Sequence, residues 1–383
     1  MNIIVLGCGL VGSAIVRDLA LESSFNVTAV DVSEGALDRV GGIDKVARLQ
    51  ADLASPDRVR ELVAAHDLVI GAVPGFMGYR TVEAAIAAGK NVVDISFFPE
   101  DALTLDSVAR SQGVTAIVDC GVAPGCGNIL FGHVHTLLDR TDRFLCYVGG
   151  LPVTRRKPYE YTAVFSPVDV IEEYTRPARY VENGRLVTRE ALSDIELLDF
   201  DGIGTLEAFN SDGLRTLAVT MNAPDMKEKT LRYPGHADLM RVLRDSGFFR
   251  TDSINVRGVT LRPLDVTAAL LFPKWTLPEG EHDFTVMRVV IEGQREGEIL
   301  RYTYDLLDRY DSATGITSMA RTTGYTCSVA ARLVADGVIT QKGIVPPEYI
   351  GAHAAAYGAL MAGLQERNVV FRETIERCGR SAN

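Results

Sequence analysis

The sequence predicts an α/β chain: a doubly wound parallel sheet, followed by an α+β domain with an open mixed sheet. Three observations lead there. Short apolar runs alternate with helical patterns as far as Val118. A glycine loop joins the first run to the first helix. After about residue 128 the segments lengthen and alternate polar with apolar residues, as antiparallel strands do. At 383 residues the chain exceeds one ordinary core.

Asn2 to Leu6 is an apolar run ended by Gly7, the mark of a buried parallel strand. Ser13 to Leu21 spaces Ala14, Ile15, Leu19 and Leu21 as a helix does. A strand from Asn26 to Val30 ends at Asp31. Leu68-Val69-Ile70 is a strand, Tyr79 to Ala88 a helix closed by Gly89, and Asn91 to Ile95 a strand. Leu105 to Ser111 is a helix and Val114 to Val118 a strand. Further on, Phe284 to Glu292 and Glu298 to Asp305 read as antiparallel strands joined through Gln294-Arg295-Glu296-Gly297. Tyr325 to Asp336 is a helix stopped by Gly337, and Pro346-Pro347-Glu348 caps a last helical segment. Cys378 to Asn383 reads as a frayed tail. The expected division is 1–122 for the parallel domain and 123–322 for the α+β domain, with helices of 323–378 packing back on the first.

A net charge of −11 without a Lys/Arg block excludes nucleic acid as an expected partner. No apolar run approaches the roughly 18 residues of a membrane helix, and no leader precedes the first strand, so a soluble cytoplasmic protein is expected. The six cysteines form no CxxC pair, so neither a zinc knuckle nor a disulfide framework is expected. His133 and His135 stand two apart on a helix and face different sides, so no metal is expected there.

The loop Gly7-Cys8-Gly9-Leu10-Val11-Gly12 follows a strand and opens a helix, the context that a G-x-G-x-x-G spacing requires. Gly7 makes the tight turn, Gly9 lets the backbone approach a pyrophosphate, and Gly12 lets helix and strand pack. The helix N-terminus faces the phosphates. This is a Rossmann dinucleotide site. Asp31, 24 residues after Gly7, stands at the end of the second strand, where a carboxylate accepts from ribose hydroxyls and repels a 2′-phosphate. Val32 and Ser33 follow with no Arg, so the expected cofactor is NAD rather than NADP. Asp52 and Leu53 are expected to flank adenine, and Ala72, Val73 and Pro74 to line the nicotinamide side. Cys8 reads as a packing residue.

The stretch Val118 to Asn128 leaves the parallel domain through Gly121, Val122, Ala123, Pro124 and Gly125. Its glycines let backbone approach a nicotinamide ring. It also suits a hinge between domains. Nothing beside Cys120 or Cys126 in sequence would activate a thiol.

These residues resemble the saccharopine dehydrogenase-like family, in its lysine 6-dehydrogenase branch. The resemblance covers nearly the whole chain through GCGLVG, DCGVAPGCGNIL at 119–130, YVGGLPV at 147–153 and LEAFNSDG at 206–213. It continues through KTLRYPGH at 229–236, MARTTGY at 319–325 and GVITQKGIVPPE at 337–348. Saccharopine reductases of the family carry LDPG where this chain has Val122-Ala123-Pro124-Gly125, and the APG form resembles the lysine branch. The stretch Pro74 to Thr81 departs from that branch, so the amine stays open.

The resemblance implies NAD-dependent oxidative deamination of lysine at its ε-carbon. The imine formed is hydrolysed to ammonia and 2-aminoadipate 6-semialdehyde, which cyclises. A general base is needed to take a proton from the ammonium. His236 is the first candidate, then Asp94 and Asp119. The substrate carboxylate calls for an Arg fork from Arg232, Arg215 or Arg321. Asn128, Asn210 and Asp212 are candidates for the α-amino group or water. Saccharopine or another carboxyalkyl amine is the alternative substrate, and a non-catalytic dinucleotide sensor the alternative class. The open sheet needs its edges covered, so a homodimer is expected.

Overall fold

The computed structural model describes residues 1–380. The first domain runs β1 (Asn2–Leu6), α1 (Leu10–Leu19), β2 (Asn26–Asp31), α2 (Glu34–Leu37), β3 (Val46–Gln50), α3 (Pro56–Val63), β4 (Leu68–Gly71), α4 (Gly75–Ala87), β5 (Asn91–Asp94), α5 (Asp106–Ser111) and β6 (Thr115–Ile117). β4 is buried along its whole length because helices cover both faces of the sheet. The crossover then enters α6 (Cys126–Leu137).

The second domain contains β7 (Arg140–Pro152), α7 (Pro167–Thr175), β8 (Ala178–Glu182), β9 (Arg185–Arg189), β10 (Glu196–Phe200), β11 (Gly204–Asn210), α8 (Leu217–Thr220) and β12 (Asp225–Arg232). It continues with α9 (His236–Asp245), the small hairpin β13 (Ile254–Val256) and β14 (Val259–Leu261), α10 (Pro263–Trp275), β15 (Asp283–Arg295) and β16 (Glu298–Arg309). The chain ends with α11 (Ser318–Ala335), β17 (Gly343–Val345), α12 (Pro347–Ala352), α13 (Ala354–Glu366) and β18 (Arg372–Arg380).

The first sheet is parallel, in the order β17-β6-β5-β4-β1-β2-β3. The order reverses at β1, so the crevice opens beyond the carboxyl ends of β1 and β4. The second sheet is mixed: β10-β11-β12-β7-β15-β16-β18, with β8 on β12 and β9 on β8. Only β12 and β7 pair in parallel there. The hairpin β15–β16 turns on Glu296 (φ 53°) and Gly297 (φ 78°), a two-residue turn whose positive φ values match strand twist.

Several sequence expectations change, among them the start of α11, at Ser318 rather than Tyr325. α1 begins at Leu10, directly on the glycine loop, rather than at Ser13. α4 begins at Gly75 rather than Tyr79, because Asp169 of α7 accepts the Gly75 N–H at 3.0 Å. That partner is remote in sequence, so no local spacing reveals it. Gly343–Val345, where no element was expected, is a seventh strand of the parallel sheet; three residues are too few to show a period. Cys378 lies within β18, paired with β16, rather than in a tail. Ser381, Ala382 and Asn383 lie outside the described residues.

α11 lies against α1: Arg332 and, from the end of α13, Arg367 each reach the buried Asp18 at 2.7 Å. Among the described residues no helix is long and apolar enough to cross a membrane.

Candidate functional site

A cavity of about 740 Å³ opens where the carboxyl ends of β1 to β6 face the second sheet. Its near wall is Gly7, Gly9, Leu10 and Val11 after β1, Asp31 after β2, and Asp52 and Leu53 after β3. Ala72, Val73 and Pro74 after β4, then Gly121, Val122, Ala123 and Pro124 after β6, complete it. These are all the expected cofactor residues except Gly12, whose part is packing: a Cβ there would fall 2.1 Å from the carbonyl oxygen of Gly7. Gly9, by contrast, faces open space, with nothing within 4 Å of a Cβ. The residues therefore fit an extended dinucleotide, with its pyrophosphate over Gly9 and the N-terminus of α1.

The crossover is a closed turn. The Cys126 N–H donates to the Gly121 carbonyl at 3.0 Å, and Gly121 donates to Pro124 at 3.1 Å. Gly125 has φ 139°, and a Cβ on it would lie 1.8 Å from the Gly121 oxygen. Only glycine closes this turn against the cavity.

At the adenosine end, Asp31 is fixed by two backbone donors, Cys8 N–H at 2.8 Å and Ser33 N–H at 2.9 Å. Its carboxylate borders the cavity. So does Arg39, from the turn Asp38–Val40. The sequence expectation weighed only the residues next to Asp31; the fold brings an arginine from eight positions further on to the same rim.

The inner end is built by β7, β12, α7, α11 and the segment after β11. Glu228, Thr230 and Arg232 alternate along β12 and all line the cavity, joined by Asp212, Gly213, Asp169 and Glu173. Arg232 Nη2 pairs with Glu173 at 2.6 Å, and its guanidinium stands 4.5 Å from the centre of the Tyr161 ring. Its Nη1 donates to the Leu231 carbonyl, while the buried Nε has no partner. Asp212 is held by a bidentate pair with Arg179, at 2.9 and 2.7 Å. Burial raises Glu173 above the ordinary carboxylate value against the pull of Arg232. Burial, with Glu173 and Asp212 nearby, pushes Glu228 up to about 8.

Of the residues expected to meet substrate or do catalysis, Arg232 and Asp212 reach the cavity; the others do not. His236 lies behind Arg232, with Nε2 on the Tyr174 hydroxyl at 2.9 Å and Nδ1 on the Tyr159 carbonyl at 3.0 Å. Burial, with Arg232 adjacent, pushes it down to about 3. Both its nitrogens are engaged, and it does not ionise at neutral pH. Asp94 is fully buried on Ser96, accepting from its N–H at 2.8 Å and its hydroxyl at 3.0 Å. Asp119 and Arg215 pair with each other at 3.1 Å behind the wall. Arg321 pairs with Asp308 and Asp311, both at 3.3 Å. Asn128 bonds Glu348 and Gly125, and Asn210 bonds Tyr180 and Ser193. Each of these side chains is engaged within the fold away from the cavity, although Arg215 Nη1 and Arg321 Nε have no partner.

Sequence reasoning passed over Asp169, Glu173 and Glu228. For Glu228 a signal existed: in KEKTLR the period-two set Glu228, Thr230, Arg232 puts the acid on the face of the arginine already singled out. Cys8, Cys120 and Cys126 are buried; burial pushes Cys8 up to about 11 and Cys126 up to about 12. His133 stacks on Tyr357, and His135 bonds Thr141.

A Rossmann sheet whose nucleotide cleft is closed by a mixed-sheet domain defines a two-domain pyridine-nucleotide oxidoreductase. Comparison with known families makes this specific: residues 3–117 match the saccharopine dehydrogenase NADP binding domain, and residues 121–370 the saccharopine dehydrogenase C-terminal domain. The chain belongs to the saccharopine dehydrogenase family. It is 24% identical to the saccharopine dehydrogenase [NADP(+), L-glutamate-forming] of Schizosaccharomyces pombe, over 90% of this chain and 93% of that protein. It is 23% identical to the bovine mitochondrial alpha-aminoadipic semialdehyde synthase, over 97% of this chain and only 47% of that longer protein. The apo saccharopine dehydrogenase (L-Glu forming) structure from Saccharomyces cerevisiae shares the fold, with a TM-score of 0.79 at 19% identity, covering 98% of this chain and 99% of that one.

Proposed function

We propose that this protein oxidises a carbon–nitrogen bond of a cationic amino acid, with lysine at its ε-carbon as the substrate. The observation that carries the reading is the make-up of the inner cavity: four acidic side chains, Asp169, Glu173, Asp212 and Glu228, line it beside one guanidinium, Arg232. Such a wall favours ammonium groups and has room for one carboxylate. Arg232, whose buried Nε has no partner, supplies the cation for that carboxylate. Saccharopine brings three carboxylates, which this wall would repel. It remains the second reading because relatives bear its name.

A nucleotide held by the glycine loop, Asp31 and the crossover turn would supply the hydride acceptor for the substrate carbon. The chain's own residues orient and exclude water. Arg232 holds the substrate carboxylate. The acids of β12 and α7 hold the ammonium, and the crossover turn with Met319 and Thr323 of α11 walls the reacting carbon off. The proposed cofactor is NAD, on the strength of Asp31 at the end of β2. The relative from Schizosaccharomyces pombe uses NADP by name, and Arg39 on the rim leaves a cation in reach, so both nucleotides belong in the assay. We place the activity in the cytoplasm and in a homodimer; a single-chain mass by light scattering would refute the dimer.

The test is a panel of lysine, saccharopine and 1,5-diaminopentane with NAD or NADP, read as reduced nucleotide at 340 nm, a wavelength of about that value being the generic NAD(P)H band. Lysine turnover with NAD is expected. Turnover of saccharopine alone would overturn the substrate, and nucleotide binding without turnover of any amine would leave the sensor.

A further inference from the structure

We propose that Glu228 is the proton acceptor for the substrate ammonium, and that Gly213 is the positioning residue that leaves its carboxylate room at the reacting end of the cavity. The proposal rests on the amine reading above and names its base. Three geometric facts carry it. Glu228 shares its face of β12 with Thr230 and Arg232, so it borders the same cavity as the group that takes the substrate carboxylate. Its carboxylate has no hydrogen-bond or ion-pair partner among the described residues, whereas Glu173, Asp212 and Asp169 are each held by Arg232, Arg179 and Gly75 N–H. And it lies against the bare Cα of Gly213: a Cβ there would fall 1.6 Å from Oε1 and 2.0 Å from Cδ. Gly213 has no positive φ. What excludes a side chain at 213 is the carboxylate itself.

The surroundings suit a base. Glu173 of α7, Asp212 after β11 and Asp119 after β6 all favour the protonated form, and Arg215 opposes them. Cys146 of β7 and Tyr180 of β8 also face it, both with their own ionisation pushed up by burial. Tyr180 donates its hydroxyl to the Glu228 backbone carbonyl rather than to the carboxylate. A carboxylate so placed takes a proton near neutral pH, where an ordinary one does not.

The step balances. An N–H bond of the substrate ammonium breaks and its proton goes to Glu228, giving a neutral carboxylic acid and an amine. The nitrogen lone pair then forms the C=N bond as the C–H bond breaks, its hydrogen and two electrons leaving for the oxidised nucleotide.

The experiment compares wild type, Glu228→Gln, Glu228→Asp and Gly213→Ala over a range of about pH 6–10 that spans the limb of the base, with NADH affinity as the control for folding. For the wild type, kcat/KM rises with pH through a limb near about 8. Glu228→Gln is expected to lose that limb and about 10²–10⁴ in kcat, the usual worth of a general base. Glu228→Asp should recover part of the rate and restore the limb. Gly213→Ala pushes the carboxylate aside and should lower kcat by about tenfold or more with NADH affinity unchanged. A Glu228→Gln variant that raises only KM and keeps both kcat and the limb makes Glu228 a static counter-ion and overturns the proposal. An active wild type with that outcome leaves the amine reading standing; a wild type inert towards every amine overturns both.

Discussion

Replacing Arg232 with Met tests whether the inner cavity is organised around one arginine. Arg232 is 2% exposed and its partner Glu173 19%, 2.6 Å apart. Breaking a buried pair by removing one member costs about 3–5 kcal/mol, because the remaining charge is left in a poor medium. The lower end applies, since Glu173 keeps some contact with cavity water and Met fills the space of the arginine stem. The lost stacking on Tyr161 adds about 0.5–1 kcal/mol. A destabilisation of about 3.5–4 kcal/mol at pH 8 is therefore expected from urea unfolding. The sign of its pH dependence follows. Without Arg232 the folded-state ionisation of Glu173 moves further above its unfolded value. Protonation then favours the folded variant, and the deficit shrinks as pH falls towards the ordinary carboxylate range. Adding Glu173→Gln to Arg232→Met should restore about 2 kcal/mol or more. In kinetics, loss of a charge-assisted bond of about 1.5–3 kcal/mol raises KM for lysine roughly tenfold to a hundredfold. KM for 1,5-diaminopentane, which has no carboxylate, should barely move. If both KM values rise together, or neither does, Arg232 does not hold the substrate carboxylate.

Other substitutions probe the remaining walls. Gly12→Ala places a methyl group 2.1 Å from the Gly7 oxygen, so α1 must retreat; NADH affinity should fall about tenfold or more in a fluorescence titration, and unchanged affinity would refute the packing argument. Asp31→Ser removes the acid while Arg39 stays on the rim, and the ratio of kcat/KM for NADP over NAD should rise by about tenfold or more; an unmoved ratio would deny both residues a part in cofactor choice. His236→Gln should leave the activity profile above pH 6 unchanged, because His236 stays neutral down to about 3. The same histidine ionises more readily in the unfolded chain, so its contribution to stability is present at neutral pH and lost as pH falls towards about 3. The wild type should accordingly lose up to about 1.4 kcal/mol per pH unit more than His236→Gln across that window; parallel urea-unfolding curves would refute this.

The nucleotide half of the site was legible because its chemistry is local. A turn, a phosphate cradle and a helix N-terminus require glycines at fixed spacing beside a strand, and Asp31 follows at the next strand end. The loops after β3, β4 and β6 could be placed for the same reason: in a parallel sheet, strand ends share one side. The substrate half was legible only in part. Arg232 and Asp212 stood in recognisable segments, but so did His236, Asp119 and Arg215, and nothing in those segments says which side chains already have partners. His236 is engaged by Tyr174 and Tyr159, and Asp119 by Arg215, through contacts that span 62, 77 and 96 residues. Sequence by itself determined the parallel strands up to β6, the glycine loop and the acid at the end of β2. Tertiary structure alone decided that Arg39 reaches the rim, that Asp169 opens α4, and that Glu228 lies unpartnered beside Gly213. Backbone geometry repeats at short range and can be read from spacing, whereas the partner of a buried charge is set by whichever distant element the fold brings against it.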